Sequence, residues 1–293
     1  MDIRVLKYFL AVATYQSFSK AAKKLNVSQP ALSKQIRELE EEYNVVLFDR
    51  TTRNVTLTGD GLLLKQQAEE ILDLVNKTEN MMLQQNKEIL MGEIDLGCSE
   101  SECNRIVMRA IYNVQKDYPG IHFHIYSGNA QYVMEKMNQG IFDLGVVVDP
   151  VDMKKYNHLT LPQVDIRGLL LRKDHPLADH KVIHPEDLKD IPLIVSAQEM
   201  VQDQMSRWVG DSINISATYN LLFNAKMMAE EGIGSVITLK DIYQETKDGL
   251  LTFIPLEPQV LIQSHLIWEK NRIYNQAVEI FIQYLRKEIE SNA

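Results

Sequence analysis

Residues 28–37 carry side chains whose types and spacing could recognise a nucleic acid. The amide of Gln29 can pair with two atoms of adenine, and the cations of Lys34 and Arg37 can donate to guanine or to phosphate. Helical spacing places these groups on one face and apolar residues on the other. Ser28 is a good N-cap, and a first turn tolerates Pro30. The predicted outward face comprises Gln29, Pro30, Ser33, Lys34 and Arg37.

Two short helices must hold this face. Apolar residues recur at helical spacing twice, at Phe18, Ala21, Ala22 and Leu25, and then at Leu32, Ile36, Leu39 and Tyr43. Only residues 26–28 separate the two runs, so the helices must meet at a steep angle, as in a helix-turn-helix. The second helix could present an ordinary solvated face. Its amide and cations, placed directly after a tight turn, instead favour the DNA major groove.

The residues that follow predict a two-stranded wing. Two short β-prone runs, residues 45–50 and 55–57, flank a polar turn. Arg50 and Arg53 would meet the DNA backbone or a narrow minor groove, which attracts guanidinium groups. The alternative is that both arginines are solvated surface residues.

Two longer helices flank this region. Residues 1–15 predict a helix that packs its apolar face beneath the helix-turn-helix. A second helix runs from residue 58 to about 88, a length of roughly 45 Å that one small domain cannot bury. Its apolar residues alternate spacings of four and three, which is typical of a two-helix coiled coil with a second copy. Packing within its own subunit is the alternative. The predicted dimerisation seam comprises Leu64, Ala68, Ile71, Val75 and Met82, interrupted by Thr78.

From residue 91 onward, short strands alternate with helices. Residues 94–148 read as a βαβαβ unit, and residues 143–148 are almost continuously apolar, as in a strand buried on both faces. This order predicts a parallel sheet with right-handed crossovers. The pattern restarts at Leu161, with its first strand at residues 167–172, and a terminal helix at 275–289 can return to the first part. The sequence therefore predicts two α/β lobes.

Length and composition limit the class of protein. A chain of 293 residues with 24% charged and 45% hydrophobic residues suits two or three soluble domains. No apolar run approaches the roughly 20 residues of a membrane span, and no secretory signal is evident, so we expect a cytoplasmic protein without a membrane partner. The net charge is −9, but residues 1–60 hold nine basic against seven acidic residues. Because this excess is modest, phosphate contacts should come from two paired half-sites.

Two segments, AAKKLNVSQPALSKQIRELE and LFDRTTRNVTLTGDG, closely resemble the N-terminal domain of LysR-type transcriptional regulators. HPLA at 175–178, DIPLIV at 190–195 and AEEGIGSVI at 229–237 match landmarks of the effector domain of that family. Two residues depart from the pattern. Asn44 stands where the family usually has Gly, a mild change because Asn also accepts a left-handed helix cap. Asp60 replaces a commonly apolar or small residue.

The resemblance implies a domain organisation. An all-α-dominated winged helix-turn-helix domain would occupy residues 1–57, a linker and dimerisation helix 58–90, and an α/β two-lobed, periplasmic-binding-protein-like (type II) effector domain 91–293. Lobe I would comprise about 91–162 plus 264–293, and lobe II about 163–263. The resemblance further implies a homodimer or homotetramer on a double-stranded DNA operator, a small-molecule effector, and RNA polymerase as an additional partner. No cofactor, metal or enzymatic activity is expected.

The effector should bind beyond the carboxyl ends of the strands, as ligands do in open α/β sheets. Three loops lie there, and they supply the few orienting polar groups that such a pocket needs. The predicted contacts from these loops are Ser99, Glu100, Ser101, Asn129, Ser196, Ala197 and Gln198. By resemblance to the family, residues near Val148 and Asn220 complete the cleft.

Glu100 and Glu102 add negative charge to the first of these loops, and two interpretations stay open. One is that the effector carries an amine or another donor beside any carboxylate. The other is that both glutamates point to solvent in a first helical turn, where acidic residues match the helix dipole.

Other groups could support chemistry of a different class. Cys98 and Cys103 permit an alternative, a thiol-based redox-responsive regulator of the same fold, although thiol sensors of the family carry their cysteines in the second lobe. We expect Cys98 at a strand end and Cys103 buried in a helix. His122 and His124 share a strand face but lack a third ligand at supporting spacing. No glycine-rich phosphate loop, nucleophile elbow or HExxH motif indicates an enzyme.

Overall fold

The computed structural model describes residues 1–50, 55–84, 91–149, 151–198, 204–209 and 213–292, with the backbone alone at 50, 77, 80–84, 204 and 206. The chain divides into two units, Met1–Asn86 and Lys87–Ala293. Each unit has its own hydrophobic core.

The first unit begins with three helices that follow the predicted periodicity. They are α1 (Ile3–Tyr15), α2 (Phe18–Leu25) and α3 (Gln29–Tyr43). Asp2, Ser17 and Ser28 cap their N-termini by accepting from backbone N–H groups two or three residues further on. Asn26 and Asn44 end α2 and α3 in the left-handed conformation, at φ 55° and 52°. The tight turn of the predicted helix-turn-helix is therefore confirmed.

The core of this unit lies where the three helices meet. Phe9, Ala21, Leu32 and Ile36 are fully buried there. Tyr43, the last residue of the predicted apolar run, is instead 48% exposed. It sits in the last turn of α3, beyond the part of the helix that the other two cover.

A two-stranded wing and a long helix complete the first unit. Strand β1 (Phe48–Arg50) pairs antiparallel with β2 (Val55–Leu57), and α4 follows as Gly59–Gln84. The predicted strand began earlier, at residue 45. The carboxylate of Glu40 on α3 accepts from the N–H groups of Leu47 and Phe48, at 2.9 and 3.4 Å, so the chain is bound to the helix just before and at the start of β1.

Lobe I of the second unit contains the predicted parallel βαβαβ unit. Strands β4, β3 and β5 lie side by side and parallel, and β11 pairs antiparallel with β5. Helices α5 and α9 pack on one face, and α6 packs on the other. The elements are β3 (Gly92–Cys98), α5 (Asn104–Asp117), β4 (Ile121–Ser127), α6 (Ala130–Asn138), β5 (Leu144–Val148), β11 (Leu261–Glu269) and α9 (Gln276–Ser291).

Lobe II is built on a second group of parallel strands. Strand β7 pairs with β8 and β9, β9 pairs antiparallel with β6, and β10 pairs with the other edge of β6. The elements are β6 (Tyr156–Arg172), β7 (Pro192–Ser196), α7 (Gln204–Val209), β8 (Asn214–Tyr219), α8 (Leu222–Glu230), β9 (Ser235–Leu239) and β10 (Leu251–Pro255). Within the described residues, the strand order is β4-β3-β5-β11-β6-β9-β7-β8.

The two lobes are joined by strand β6, which is longer than predicted. The expected strand covered residues 167–172, whereas β6 runs from Tyr156 to Arg172 and pairs with β11 along its first part. Pro162 lies within this first part of β6, and proline cannot donate to a β ladder. The register shift between Gln263 and His265 on β11 lies opposite Pro162, so the missing N–H falls where regular pairing is already interrupted.

Candidate functional site

The outward face of α3 is exposed as its sequence predicts. Gln29, Pro30, Lys34 and Arg37 are exposed and Ser33 is half-buried, while Leu32, Ile36 and Leu39 on the opposite side are buried. Ser28 is exposed but its hydroxyl caps the helix, accepting from Ala31 N–H at 3.4 Å. The arrangement presents an amide and two cations on a rigid helix.

An acidic residue one turn away interacts with this face. Glu38 lies 3.6 Å from the ammonium of Lys34 and accepts a hydrogen bond from Gln35 at 2.7 Å. The pair is exposed, so it contributes little to folding stability. It does place a negative charge beside a side chain that would contact DNA.

The predicted wing contacts involve Arg50 and Arg53. The side chain of Arg50 and residues 51–54, which include Arg53, lie outside the described part of the chain. Their predicted DNA contacts stay predictions.

Helix α4 directs its apolar residues in two directions. Leu64, Ala68 and Leu72 pack against the core of their own unit, and Ala68 is fully buried. Ala68 is therefore covered within its own subunit, which corrects its predicted place in a dimer seam. Ile71 is 40% exposed and Leu63 64% exposed, so the exposed apolar face of α4 is rotated relative to the predicted seam. Val75 is half-buried, and the side chain of Met82 is outside the described part.

A cavity of about 60 Å³ lies in the second unit, with walls from both lobes. It is small beside the roughly 300–1,000 Å³ of pockets that hold drug-sized ligands. The structure brings together here most of the residues predicted to contact an effector: Ser99, Glu100, Asn129, Val148, Ser196, Gln198 and Asn220.

Two predicted contacts are not in the wall of the cavity. Ser101 is buried, donates to the carboxylate of Asp165 at 2.6 Å and lies 3.3 Å from the hydroxyl of Ser264. It therefore joins the first loop to strands β6 and β11 behind the cavity. Burial raises the pKa of Asp165 above its ordinary value, although the hydrogen bonds from Ser101 and Cys103 act in the opposite direction. Ala197 is half-buried and is not among the lining residues.

Gln198 connects the two lobes across the cavity. Its side-chain oxygen accepts from the N–H of Ala130 at 3.0 Å, at the start of α6 in lobe I. Its side-chain nitrogen donates to the carbonyl of Val148 at 3.2 Å, at the end of β5. Asn129 caps the same helix by accepting from Tyr132 N–H at 2.9 Å. Protein oxygens thus already occupy the amide-rich end of α6.

Glu100 and Glu102 have different hydrogen-bond partners. Glu100 lines the cavity, and its carboxylate accepts from the N–H of Leu222 at 2.7 Å, in the first turn of α8 in the opposite lobe. Residue Leu221, at the N-cap of α8, offers no side-chain acceptor, so Glu100 supplies one. Glu102 hydrogen-bonds Arg105 beside it. Glu100 is therefore exposed, as one interpretation expected, but it binds the N-terminus of α8 in the opposite lobe and not the first turn of α5.

Several residues of the cavity wall were missed in the sequence. Arg167 is 4% exposed, Thr238 is 2% exposed, and Asp149 keeps 42% of its side chain exposed. Arg167 could have been noticed as a cation beside the apolar run Gly168–Leu171, but nothing in the sequence indicates which cavity it reaches. The other unpredicted lining residues are Gly128, Tyr219, Leu239, Ile242 and Ile262.

Two hydroxyl oxygens of lining residues are unsatisfied. The Oγ of Ser99 and the Oγ1 of Thr238 are buried and have no hydrogen-bond partner among the described residues. A buried polar group without a partner costs about 1–3 kcal/mol. A ligand that accepted from these hydroxyls would recover part of that cost.

Residues of strands β6 and β11 hold Asp149 in place. Its carboxylate lies 3.3 Å from Nε2 of His265, and Nδ1 of His265 lies 3.1 Å from the hydroxyl of Thr160. The N–H of Asp149 donates to the carbonyl of Gln263 at 2.9 Å. Strands β6 and β11 therefore position a carboxylate at the edge of the cavity.

The cysteines are both free and buried. Cys98 ends β3 as predicted, and burial raises the pKa of its thiol to about 12. Cys103 precedes α5 as its N-cap residue, not inside the helix, and burial also raises its pKa. Because the thiolate is the reactive form, both shifts oppose a thiol switch at neutral pH.

Neither the histidines of β4 nor the helices in the described part of the chain indicate a metal site or a membrane span. His122 and His124 are exposed. Among the described residues, no group of three or more His, Cys, Asp or Glu side chains is placed to hold a metal ion. No helix in the described ranges has the length and apolar content to cross a membrane.

Comparison with known proteins agrees with this architecture. Residues 3–62 match the family described as "Bacterial regulatory helix-turn-helix protein, lysR family", and residues 88–290 match "LysR substrate binding domain". The uncharacterized HTH-type transcriptional regulator YvbU of Bacillus subtilis is 30% identical over 295 residues, which cover 98% of each chain.

Two solved structures show the fold. Full-length CbnR in complex with its target DNA is 19% identical, with a TM-score of 0.71 over 98% of this chain and 100% of that one. A full-length variant of OxyR from Pseudomonas aeruginosa is 21% identical, with a TM-score of 0.56 over 98% and 95%. The family matches span both units of the chain. The protein belongs to the LysR family of bacterial transcriptional regulators, which are DNA-binding proteins and not enzymes.

Proposed function

We propose that this regulator is a cytoplasmic protein that binds a double-stranded operator as a dimer or tetramer and is controlled by a small molecule in the interlobe cleft. The observation that carries the effector proposal is the cavity whose wall combines Ser99 and Asn129 of lobe I with Ser196 and Asn220 of lobe II. A ligand that contacts both lobes favours one lobe arrangement over another, and such a preference is what an allosteric coupling requires.

The operator contacts would come from α3 and the wing. Gln29, Pro30, Ser33, Lys34 and Arg37 read the major groove, and Ser28 sets the start of the helix. The exposure of Gln29, Lys34 and Arg37 on a helix whose other side is buried supports this assignment. Arg50 and Arg53 contact the backbone or minor groove from the wing. RNA polymerase is a further partner of the DNA-bound form.

The proposed domains are residues 1–57 for DNA binding, 58–90 for the linker and dimerisation helix, and 91–293 for effector binding. Dimerisation through α4 is supported by its exposed apolar residues, Leu63, Ile71 and Leu74. Ala68 is buried in its own unit and drops out of the predicted seam, while Leu64, Val75 and Met82 remain candidates beside these residues. A second copy would hold two reading helices about one DNA turn apart.

The proposal can be tested with the full-length chain. We expect it to retard duplex fragments from the region upstream of its own gene at low ionic strength, and to sediment as a dimer or larger. A metabolite panel screened by thermal shift should contain compounds that raise Tm and change the footprint on those fragments. A chain that sediments as a monomer or retards no fragment would contradict DNA regulation. A panel without any stabilising compound would contradict effector control alone.

A further inference from the structure

The cavity of the second unit has opposite charges in its interior and at its rim. The cation is Arg167, which lines the cavity and is 4% exposed. The anions are Glu100 and Asp149, which line the same cavity and keep exposed side chains. We propose that the cleft takes a small zwitterion, with its carboxylate toward Arg167 and its ammonium between the carboxylates of Glu100 and Asp149. This inference rests on the effector-binding function proposed for the cleft.

The end that would receive the ligand carboxylate is rich in donors. A guanidinium matches the geometry of a carboxylate, and serine and threonine hydroxyls donate to it as well. Ser99 is 3% and Thr238 2% exposed, and their hydroxyl oxygens have no partner among the residues that the structure describes. Both residues belong to the cavity wall, one from each lobe. A carboxylate that reached both would satisfy two buried hydroxyls, one in each lobe.

Helix N-termini commonly bind anionic groups, so they could bind the ligand carboxylate in place of Arg167. In this cleft, protein oxygens already hold both of them. Glu100 accepts from Leu222 N–H at the start of α8, and Gln198 accepts from Ala130 N–H at the start of α6. An anionic group entering the cleft therefore finds those amides occupied, whereas the guanidinium of Arg167 has five N–H donors and can bind a carboxylate in addition to a protein partner.

The end that would receive the ammonium is built from carboxylates held in fixed positions. One oxygen of Glu100 is engaged by the Leu222 amide, and Asp149 is held by His265 at 3.3 Å. A carboxylate offers about four lone-pair directions, so each retains capacity for a further donor. Charge-assisted hydrogen bonds of this kind are stronger than neutral ones. A ligand without a cationic group would leave two negative charges facing it.

Size restricts the ligand further. The cavity of about 60 Å³ is lined by residues of both lobes and is partly open to solvent. A compact molecule such as a small α-amino acid suits this volume, whereas a larger molecule would extend into solvent or break the contacts of Gln198 and Glu100 between the lobes. The proposed class is therefore a small amino acid or a similar zwitterion.

The test uses the full-length chain and defined probes. Thermal shift is measured with small α-amino acids, each paired with its deaminated acid and its decarboxylated amine, for example L-alanine, propionate and ethylamine. We expect at least one amino acid to raise Tm in a saturable way, and its paired acid and amine to leave Tm unchanged at the same concentration. A paired acid that binds as tightly as its amino acid would overturn the proposal.

Matched variants locate the two ends of the bound probe. Glu100→Gln removes the charge but keeps an oxygen that can accept from Leu222 N–H. It should weaken binding of the stabilising amino acid by about tenfold, as expected when a charge-assisted hydrogen bond becomes neutral. Glu102→Gln is the control, because Glu102 pairs with Arg105 and does not line the cavity, and its affinity should equal that of the wild type. Thr238→Val should weaken the amino acid by removing a donor at the other end.

The outcomes separate this inference from the function on which it rests. Equal affinity of the wild type and Glu100→Gln would overturn the zwitterion. Failure of all amino-acid probes, combined with binding of another metabolite, would overturn the zwitterion and leave effector control standing. If no compound of any charge type changed Tm or DNA binding, both would be overturned.

Discussion

The reading face of α3 (Gln29, Pro30, Ser33, Lys34 and Arg37) and the interlobe cleft differ in where along the chain their functional residues come from. The first takes all its side chains from one helix, Gln29–Tyr43, and exposes them on top of a local core. The second gathers residues from Ser99 to Thr238, and its polar contacts join positions 68 and 122 residues apart. A recognition surface can therefore be encoded by periodicity within one element, whereas this cleft depends on the order of strands in a sheet.

The largest expected effect tests whether the reading face depends on its local core. Ile36→Ala removes a fully buried side chain beneath α3 and should lower the free energy of unfolding of residues 1–86 by about 2–5 kcal/mol. This loss of stability is measured by hydrogen exchange resolved by segment. Leu96→Ala in the core of lobe I is the mirror control, and it should reduce protection in residues 87–293 instead. Equal loss of protection in both units after either change would contradict two independent cores.

Loss of a single base contact from the reading face is expected to have the next largest effect. Gln29→Ala should cost about 1–3 kcal/mol of operator affinity and relax the preference at one base pair. Binding is measured against duplexes that carry each single base change. Gln35→Ala on the same helix is the control, because Gln35 hydrogen-bonds Glu38 and is not on the predicted reading face. A uniform loss over all base positions would assign Gln29 to the DNA backbone instead.

The cleft should respond to loss of the contact between its lobes. Gln198→Ala removes two hydrogen bonds, each worth about 0.5–1.5 kcal/mol, and should speed hydrogen exchange at the N–H of Ala130. Gln139→Ala at the far end of the same helix is the control, since Gln139 binds Lys136 on the surface. Unchanged exchange at Ala130 would show that closure of the cleft does not depend on Gln198.

The smallest expected effect concerns charge on the reading helix. Glu38→Gln frees Lys34 from an exposed ion pair and should tighten binding to every duplex by at most about 1 kcal/mol. The effect should shrink as salt is added, because exposed charges are screened. Glu41→Gln, near the end of the helix, is the control. Weaker binding by Glu38→Gln would mean that Glu38 positions a DNA-contacting side chain.

The same contrast explains how much could be predicted from the sequence. The helix-turn-helix follows from Leu32, Ile36 and Ser28, because periodicity and capping act within a few residues. The loops of the cleft were predictable too, because ligands bind at the carboxyl ends of parallel strands. Side-chain direction was not predictable, so Ser101 was expected in the cavity although it hydrogen-bonds Asp165 behind it.

Residues that depend on distant partners were missed for a related reason. Arg167 and Thr238 lie on neighbouring strands of lobe II, and their nearness to Ser99 depends on how the two lobes close. Ala68 was placed in a dimer seam because its spacing fits a coiled coil, but the same spacing also packs α4 on its own unit. The first part of β6 was also missed. It contains Pro162, and the register shift that accommodates this proline involves the distant strand β11.

The central claim is that α3 binds DNA and that the cleft of the same chain controls this binding. The most direct measurement is the affinity of the full-length protein for operator duplexes from its own upstream region, with and without a compound that raises its Tm. The account predicts tight binding at low ionic strength, reduced by Gln29→Ala, and a footprint that changes when the compound is present. No binding to any such duplex, or a footprint identical with and without every stabilising compound, would contradict it.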